Sequence, residues 1–220
     1  MKNLIIFGVG EQAEMAYYYF SNDSDYNVIA FTADKEYITQ KKIFNLPVIN
    51  FDELESNYPI DKGYYIFIAI GYNNLNKIRT QKYHLCKNKG YKIASYISTK
   101  ANIFTKKIGE NVFILEDNTI QPYVEIGNNV TIWSGNHIGH HSTLEDNCFI
   151  TSHVVISGGC KVGCDTFIGV NATIRDHVII GKSNIIGASS LILKNTEDNK
   201  VYMEKATEVS RVPSNRLRSI

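Results

Sequence analysis

Every sixth residue from Ile108 to Ile192 is isoleucine, leucine or valine. If about one residue in three were aliphatic, a run of this length would arise by chance roughly once in 10^7. The period of six is far shorter than the repeats of helical solenoids. Six residues make one short flat strand and a corner, and three such units return the chain to its starting side, so one coil takes about eighteen residues. The pattern predicts a left-handed parallel β-helix over residues 101–220, with a carboxy-terminal tail. The aliphatic residue of each unit points inward and stacks on its equivalent one coil later. Glycine often follows it, as at Gly109, Gly127, Gly139, Gly169 and Gly187, which reads as relief for tight backbone at the corner. The residue four places after each aliphatic is mostly small or β-branched, as at Val112, Ser142, Cys148, Cys160 and Ala172. It too is expected to point inward.

Residues 1–100 have a different texture. Leu4–Phe7, Asn27–Thr32, Tyr65–Ile70 and Tyr91–Tyr96 read as strands. A helical stretch runs to Tyr19, and another from Leu75 to Lys89 is closed by Gly90. This alternation implies a small Rossmann-like α/β domain with a parallel sheet. The turn Gly8-Val9-Gly10-Glu11-Gln12-Ala13 lies between strand and helix, where backbone amides can cradle phosphate. Asp34 falls where a ribose-binding acid is expected. About 100 residues is short for a complete dinucleotide fold, so a mononucleotide or nucleotide-sugar fits better than NAD.

The formal net charge of +1 offers no field for nucleic acid or an anionic membrane. No apolar run approaches the ~20 residues of a membrane span, and the chain reads as cytoplasmic. The four cysteines, Cys86, Cys148, Cys160 and Cys164, then stay reduced. They are too few and too scattered for a structural zinc site, and no metal is expected. His137, His140 and His141 cluster in sequence, but adjacent strand residues point opposite ways, which also argues against a metal.

Together the two halves resemble the sugar acetyltransferases of the sialic acid O-acetyltransferase and bacillosamine N-acetyltransferase type. The resemblance rests on Leu4-Ile5-Ile6-Phe7-Gly8-Val9-Gly10, on Phe67-Ile68-Ala69-Ile70-Gly71-Tyr72-Asn73-Asn74 and on Ile138-Gly139-His140-His141. It rests also on Ile168-Gly169-Val170-Asn171-Ala172 and on the run from Ile186 to Asn195. It implies a homotrimer with acetyl-CoA between neighbouring β-helices and a UDP- or dTDP-linked sugar, most simply an amino sugar, on the amino-terminal domain. Gly8, Gly10, Asp34 and Gly71 would surround the nucleotide. Gly158, Gly169, Asn171, Gly187 and Ala188 would meet CoA, with Lys194, Arg211 and Arg216 as phosphate partners. His140 would be the general base, with His141 as first alternative, and Trp133 and Asn136 would line the acceptor pocket. The sequence departs from the family at two points. His141 stands where an acidic residue usually follows the histidine, which leaves Glu145 or Asp146 to orient the imidazole. Arg211-Val212-Pro213-Ser214 replaces the usual Gly-x-Pro-Ala ending.

The chemistry is direct. A thioester needs little activation, while the acceptor must lose a proton as it attacks, and neutral imidazole suits that task near pH 7. A backbone amide of the coil would stabilise the oxyanion. Rival readings are O-acetylation of a sugar, a nucleotidyltransferase that uses its β-helix for assembly, and a trimeric scaffold without activity.

Overall fold

The computed structural model describes residues 1–216. In the amino-terminal half, β1 (Lys2–Phe7), α1 (Glu11–Asn22), β2 (Tyr26–Ala33), β3 (Lys42–Ile43), β4 (Leu46–Asn50), α2 (Leu54–Asn57), β5 (Tyr65–Ile68), α3 (Lys77–Lys89) and β6 (Lys92–Ile93) follow in chain order. The sheet order is β3-β4-β2-β1-β5-β6. All neighbours are parallel except the β3–β4 pair. The apolar run of β1 feeds both faces: Leu4 and Ile6 pack with Ala13, Phe20 and Phe67, while Ile5 and Phe7 pack with Leu54, Ile66 and Tyr83. A strand covered on both sides has no polar face, which is why it reads as a continuous hydrophobic run.

One local element is new and two local expectations are corrected. The β3–β4 hairpin is unexpected from sequence because its turn residues, Phe44 and Asn45, both take left-handed φ (47° and 65°). Such geometry suits a two-residue hairpin but not phenylalanine, whose ring instead stacks on Tyr17 at 4.5 Å. The second long helix starts at Lys77, not Leu75, because Asn74, Leu75 and Asn76 all have positive φ. The run Tyr91–Tyr96 is divided: β6 stays in the first sheet, while Tyr96–Ile97 pairs with Phe113–Ile114 in the coils.

From Tyr96 onward the chain winds as a parallel β-helix with three faces. Face A holds the strands from Tyr96–Ile97 and Phe113–Ile114 up to Ile185–Ile186 and Val201–Tyr202. Face B runs from Asn102–Ile103 through His137–Ile138 to Leu191–Ile192. Face C holds Glu125–Ile126, Thr143–Leu144, Lys161–Val162 and Ile179–Ile180. The sixfold aliphatic series from Ile108 to Ile192 forms one apolar column, joined by Val112, Cys148, Val154, Cys160 and Ala172 at the fourth place after it. Each fully buried aliphatic contributes about 1.5–3 kcal/mol relative to exposure.

The corners follow a rule that the sequence hides. Asn111, Asp117, Tyr123, Asn129, His141, Asn147, His153, Asp165, Asn171 and His177 all have φ between 53° and 67°. Asparagine and aspartate tolerate this region better than most residues. The glycines after the aliphatic positions serve another purpose than the one expected. A Cβ on Gly139 would stand 2.5 Å from the Gly158 amide nitrogen, and one on Gly169 2.6 Å from that of Ala188. Close approach of the next coil, rather than backbone conformation, demands them.

The amino-terminal half packs on face A. Phe113 joins its core beside Phe20 and Phe67, and Tyr72 packs on Phe149 and Phe167 with centroids at 5.1 and 4.5 Å. Asn111 Nδ2 donates to Asn129 Oδ1 (2.8 Å), Asn129 to Asn147 (2.9 Å) and Asn147 to Asp165 (3.0 Å). Asn111 Oδ1 also accepts from the Ile68 amide at 2.8 Å. One asparagine ladder thus ties the end of β5 to successive coils.

Candidate active site

Strand order reverses between β1 and β5, and in open parallel sheets ligands bind outside the carboxyl ends of the strands at such a point. A cavity of about 460 Å³ opens there, within the ~300–1,000 Å³ of small-molecule sites. Gly8, Gly10, Asp34 and Gly71 all line it, with Glu11, Tyr37, Asn73, Ile78 and Lys82. Gly8 has φ +138°, and a Cβ there would stand 2.5 Å from the Ala69 carbonyl oxygen. Gly10 precedes the first turn of α1 without any side-chain cap, leaving that turn's amides free of a side-chain partner. Sequence reasoning missed Lys82, whose Nζ lies 2.6 Å from Asp34 Oδ2. Ile78 and Lys82 stand four apart on α3, a spacing that puts them on one helix face and was the available signal.

The second group of residues lies on the coils. A corner turns the chain from one face to the next, so residues six apart occupy different edges and residues about eighteen apart share one. His140, His141, Gly158 and Lys194 lie on the edge between faces B and C. Trp133, Asn136, Gly169, Asn171, Gly187 and Ala188 lie on the edge between faces A and B. The expected acceptor residues Trp133 and Asn136 are therefore not beside His140 in the same chain. Asn136 is 2% exposed. It occupies the inward place of its unit, receiving the Val154 amide on its Oδ1 (2.7 Å) while its own amide donates to Asn118 Oδ1 (3.0 Å). Trp133 packs against the amino-terminal core. Arg211 and Arg216 are exposed in the tail.

His140 and His141 form a corner rather than a strand, because His141 occupies the left-handed position (φ 59°). Their side chains converge, contrary to the strand expectation, with Nδ1 to Nδ1 at 3.0 Å. The His140 amide donates to Gln121 Oε1 at 2.8 Å, and its ring lies over Gly158, where a Cβ would meet Cε1 and Nε2 at 2.7 Å. Neither carboxylate expected to orient the imidazole reaches it. Lys161 holds Glu145 below the usual carboxylate range, with Nζ at 2.8 Å, and Glu145 also receives the Cys164 amide. Asp146 receives the Asn128 amide at 2.7 Å. His153 and His177 are exposed and cover Gly135 and Gly159. Cys148 and Cys160 lie in the core, where burial raises both thiols. Among the described residues no group of three or more histidines, cysteines and carboxylates is placed to hold a metal ion, and no helix is long and apolar enough to cross a membrane.

Residues 105–139, 123–158 and 159–194 match the bacterial transferase hexapeptide family. The match is confined to the coils. No curated protein matches the chain in sequence. Among solved structures, the acetyltransferase domain of PglB from Neisseria gonorrhoeae is 21% identical, with 93% of this chain and 97% of that one covered at a TM-score of 0.82. PerB from Caulobacter crescentus, solved with CoA and GDP-perosamine, is 21% identical over 93% of this chain and 95% of its own, at 0.80. WeeI from Acinetobacter baumannii is 21% identical over 91% and 96%, at 0.58. These likenesses extend well beyond the hexapeptide repeats into the amino-terminal half.

Proposed function

We propose that this hexapeptide-repeat protein transfers the acetyl group of acetyl-CoA to the amino group of a nucleotide-linked amino sugar. The observation that carries the reading is whole-chain: the fold shared with PerB joins a glycine-lined cavity at the strand switch point to coils that bear a histidine pair on one edge. PerB is described with CoA and GDP-perosamine, and a variant of that perosamine N-acetyltransferase with one histidine replaced by asparagine shares the fold at a TM-score of 0.81. The amino-terminal half is read as a Rossmann-like nucleotide site and the coils as left-handed.

Gly8, Gly10 and Gly71 bring backbone close to the nucleotide, and the amides opening α1 face its phosphates. His140 takes the proton from the attacking amine. Assembly completes the site. Face A is covered by the amino-terminal half, and face C carries Glu125 and Lys161. Face B presents Thr119, His137, Val155, Thr173 and Leu191 outward, with Val155 39% and Leu191 59% exposed. Both candidate edges flank face B. A threefold axis facing it sets the His140 edge of one copy against the Gly169–Gly187 edge of the next, and CoA lies in that cleft. Gly158 and Lys194 meet CoA from the first copy, Asn171 and Ala188 from the second. UDP or dTDP is the carrier we favour, and the PerB complex supports GDP as the second reading.

Incubating the protein with acetyl-CoA and a panel of UDP-, dTDP- and GDP-linked amino sugars, and following free thiol, tests this. Release of CoA with one amino sugar, reduced roughly 10^2- to 10^4-fold in kcat by His140→Ala, is the expected result. Turnover only on hydroxyl acceptors supports O-acetylation. Absence of any transfer, with no thermal stabilisation by acetyl-CoA, supports the scaffold.

A further inference from the structure

The histidine pair carries a further assignment, resting on the reading of His140 as base. Two neutral imidazoles hold one N–H each, so a contact of 3.0 Å between their Nδ1 atoms needs one ring to donate and the other to accept. The two rings must therefore be opposite tautomers, and only one of the two Nε2 atoms carries a lone pair.

The surroundings differ. The His140 ring extends over Gly158, and its backbone amide is fixed by Gln121 Oε1. The His141 ring is held by the left-handed corner and lies against Tyr123, with centroids 4.6 Å apart and planes tilted 30°. The rings of the two histidines are nearly perpendicular, at 86°, and their Nδ1 atoms are the ones that meet. Glu145 and Asp146 are engaged elsewhere, by Lys161 and by the Asn128 amide.

We propose that His141 is the positioning residue of this site: its Nδ1 accepts the His140 Nδ1–H, and so keeps the lone pair of His140 on Nε2. The acceptor amine attacks the thioester carbonyl carbon, the C–N bond forms, and His140 Nε2 takes the amine proton. The C–S bond then breaks, and the same proton passes from Nε2 to the departing CoA thiolate. The Nδ1–H stays bonded to His141 throughout. A neutral imidazole thus does the orienting work that a carboxylate does in other histidine bases.

Two measurements test this. The first is the long-range 1H–15N spectrum of the intact protein labelled with 15N-histidine, assigned with His140→Ala and His141→Phe. We expect His140 protonated on Nδ1 and His141 on Nε2 above pH 8. The reverse assignment overturns the proposal. The second compares His141→Phe, which keeps a ring against Tyr123 but removes the acceptor nitrogen, with His141→Asn. Asparagine tolerates the left-handed corner and can place its amide oxygen where Nδ1 stood. We expect kcat to fall roughly 10- to 100-fold in His141→Phe, part of the ~10^2 to 10^4 that a general base supplies. KM for acetyl-CoA should be unchanged, and most of kcat should return in His141→Asn. Equal activity in His141→Phe and the parent overturns the proposal, as does equal loss in both variants. Retained activity in His140→Ala would instead remove the reading of His140 on which it rests.

Discussion

Lys82 Nζ bridges both carboxylate oxygens of Asp34, at 2.7 Å from Oδ1 and 2.6 Å from Oδ2, where both residues line the amino-terminal cavity. The side chains are only 14% and 24% exposed, so the pair is less screened than a surface ion pair. With a nucleotide sugar in this cavity, as proposed above, Asp34 can still accept a hydrogen bond from a ribose hydroxyl while Lys82 faces the phosphates from the same wall. Lys82→Met leaves Asp34 and Glu11 facing an anionic ligand. Binding of UDP, dTDP or GDP, whichever the protein takes, should weaken by roughly tenfold or more as that charge-assisted contact is lost. Isothermal titration reads this directly, and an unchanged Kd would remove Lys82 from the site.

Arg79 is the largest fully buried side chain of the protein's described residues, at 1% exposure. From α3 it donates to the Thr131 hydroxyl and to the Asn147 carbonyl at 3.2 Å, both on the coils, and its guanidinium lies over the Phe149 ring. Burial brings it down to about 10. Arg79→Ala removes these bonds, orphans the Thr131 hydroxyl and leaves a void, and should cost about 2–4 kcal/mol. Arg79→Met fills the space without a buried charge and should cost less. Urea unfolding of both variants checks the order, and an Ala variant as stable as its parent would contradict the role.

Gly158 keeps the His140 ring in place by lacking a side chain. A Cβ would meet Cε1 and Nε2 of that ring at 2.7 Å, and the ring, unlike backbone, is free to swing aside. Gly158→Ala should therefore lower kcat by roughly tenfold or more, since a small displacement of a positioned group is costly. The melting temperature should shift by no more than a few degrees. A variant with parental kcat would show that the ring position does not matter to the reaction.

Asp23 ends α1 and ties it to the first coil. Burial raises its carboxyl, but hydrogen bonds from the Thr99 hydroxyl and amide, Tyr96 and Ser98 outweigh this and bring it to about 2. A carboxyl depressed by folding stabilises above its unfolded value of ~3.9. That contribution is lost as pH falls through the folded value. The stability gap between the parent and Asp23→Asn should thus be full above about pH 4 and close toward pH 2. A gap independent of pH across that window would assign the loss to something other than charge.

The six-residue period determined the coils from sequence alone, because each unit is short and its inward residues are set by local geometry repeated along the chain. Ile108 to Ile192, and Cys148 and Cys160 beside them, were legible for that reason. The cavity residues Gly8, Gly10, Asp34 and Gly71 were legible too, since each follows a strand of a parallel sheet whose carboxyl ends converge. Tertiary structure decided the rest. Which edge a corner occupies depends on the full coil, so Trp133 and Asn136, close to His140 in sequence, lie on another edge. The turn that makes His141 face His140 follows from a left-handed position shared by Asn, Asp, Tyr and His, which no residue type announces. Lys82 meets Asp34, and Arg79 meets Thr131, only when α3 packs between sheet and coils. Those partners are 48 and 52 residues apart in the chain, and contacts across such distances are selected by packing, which a local pattern does not encode.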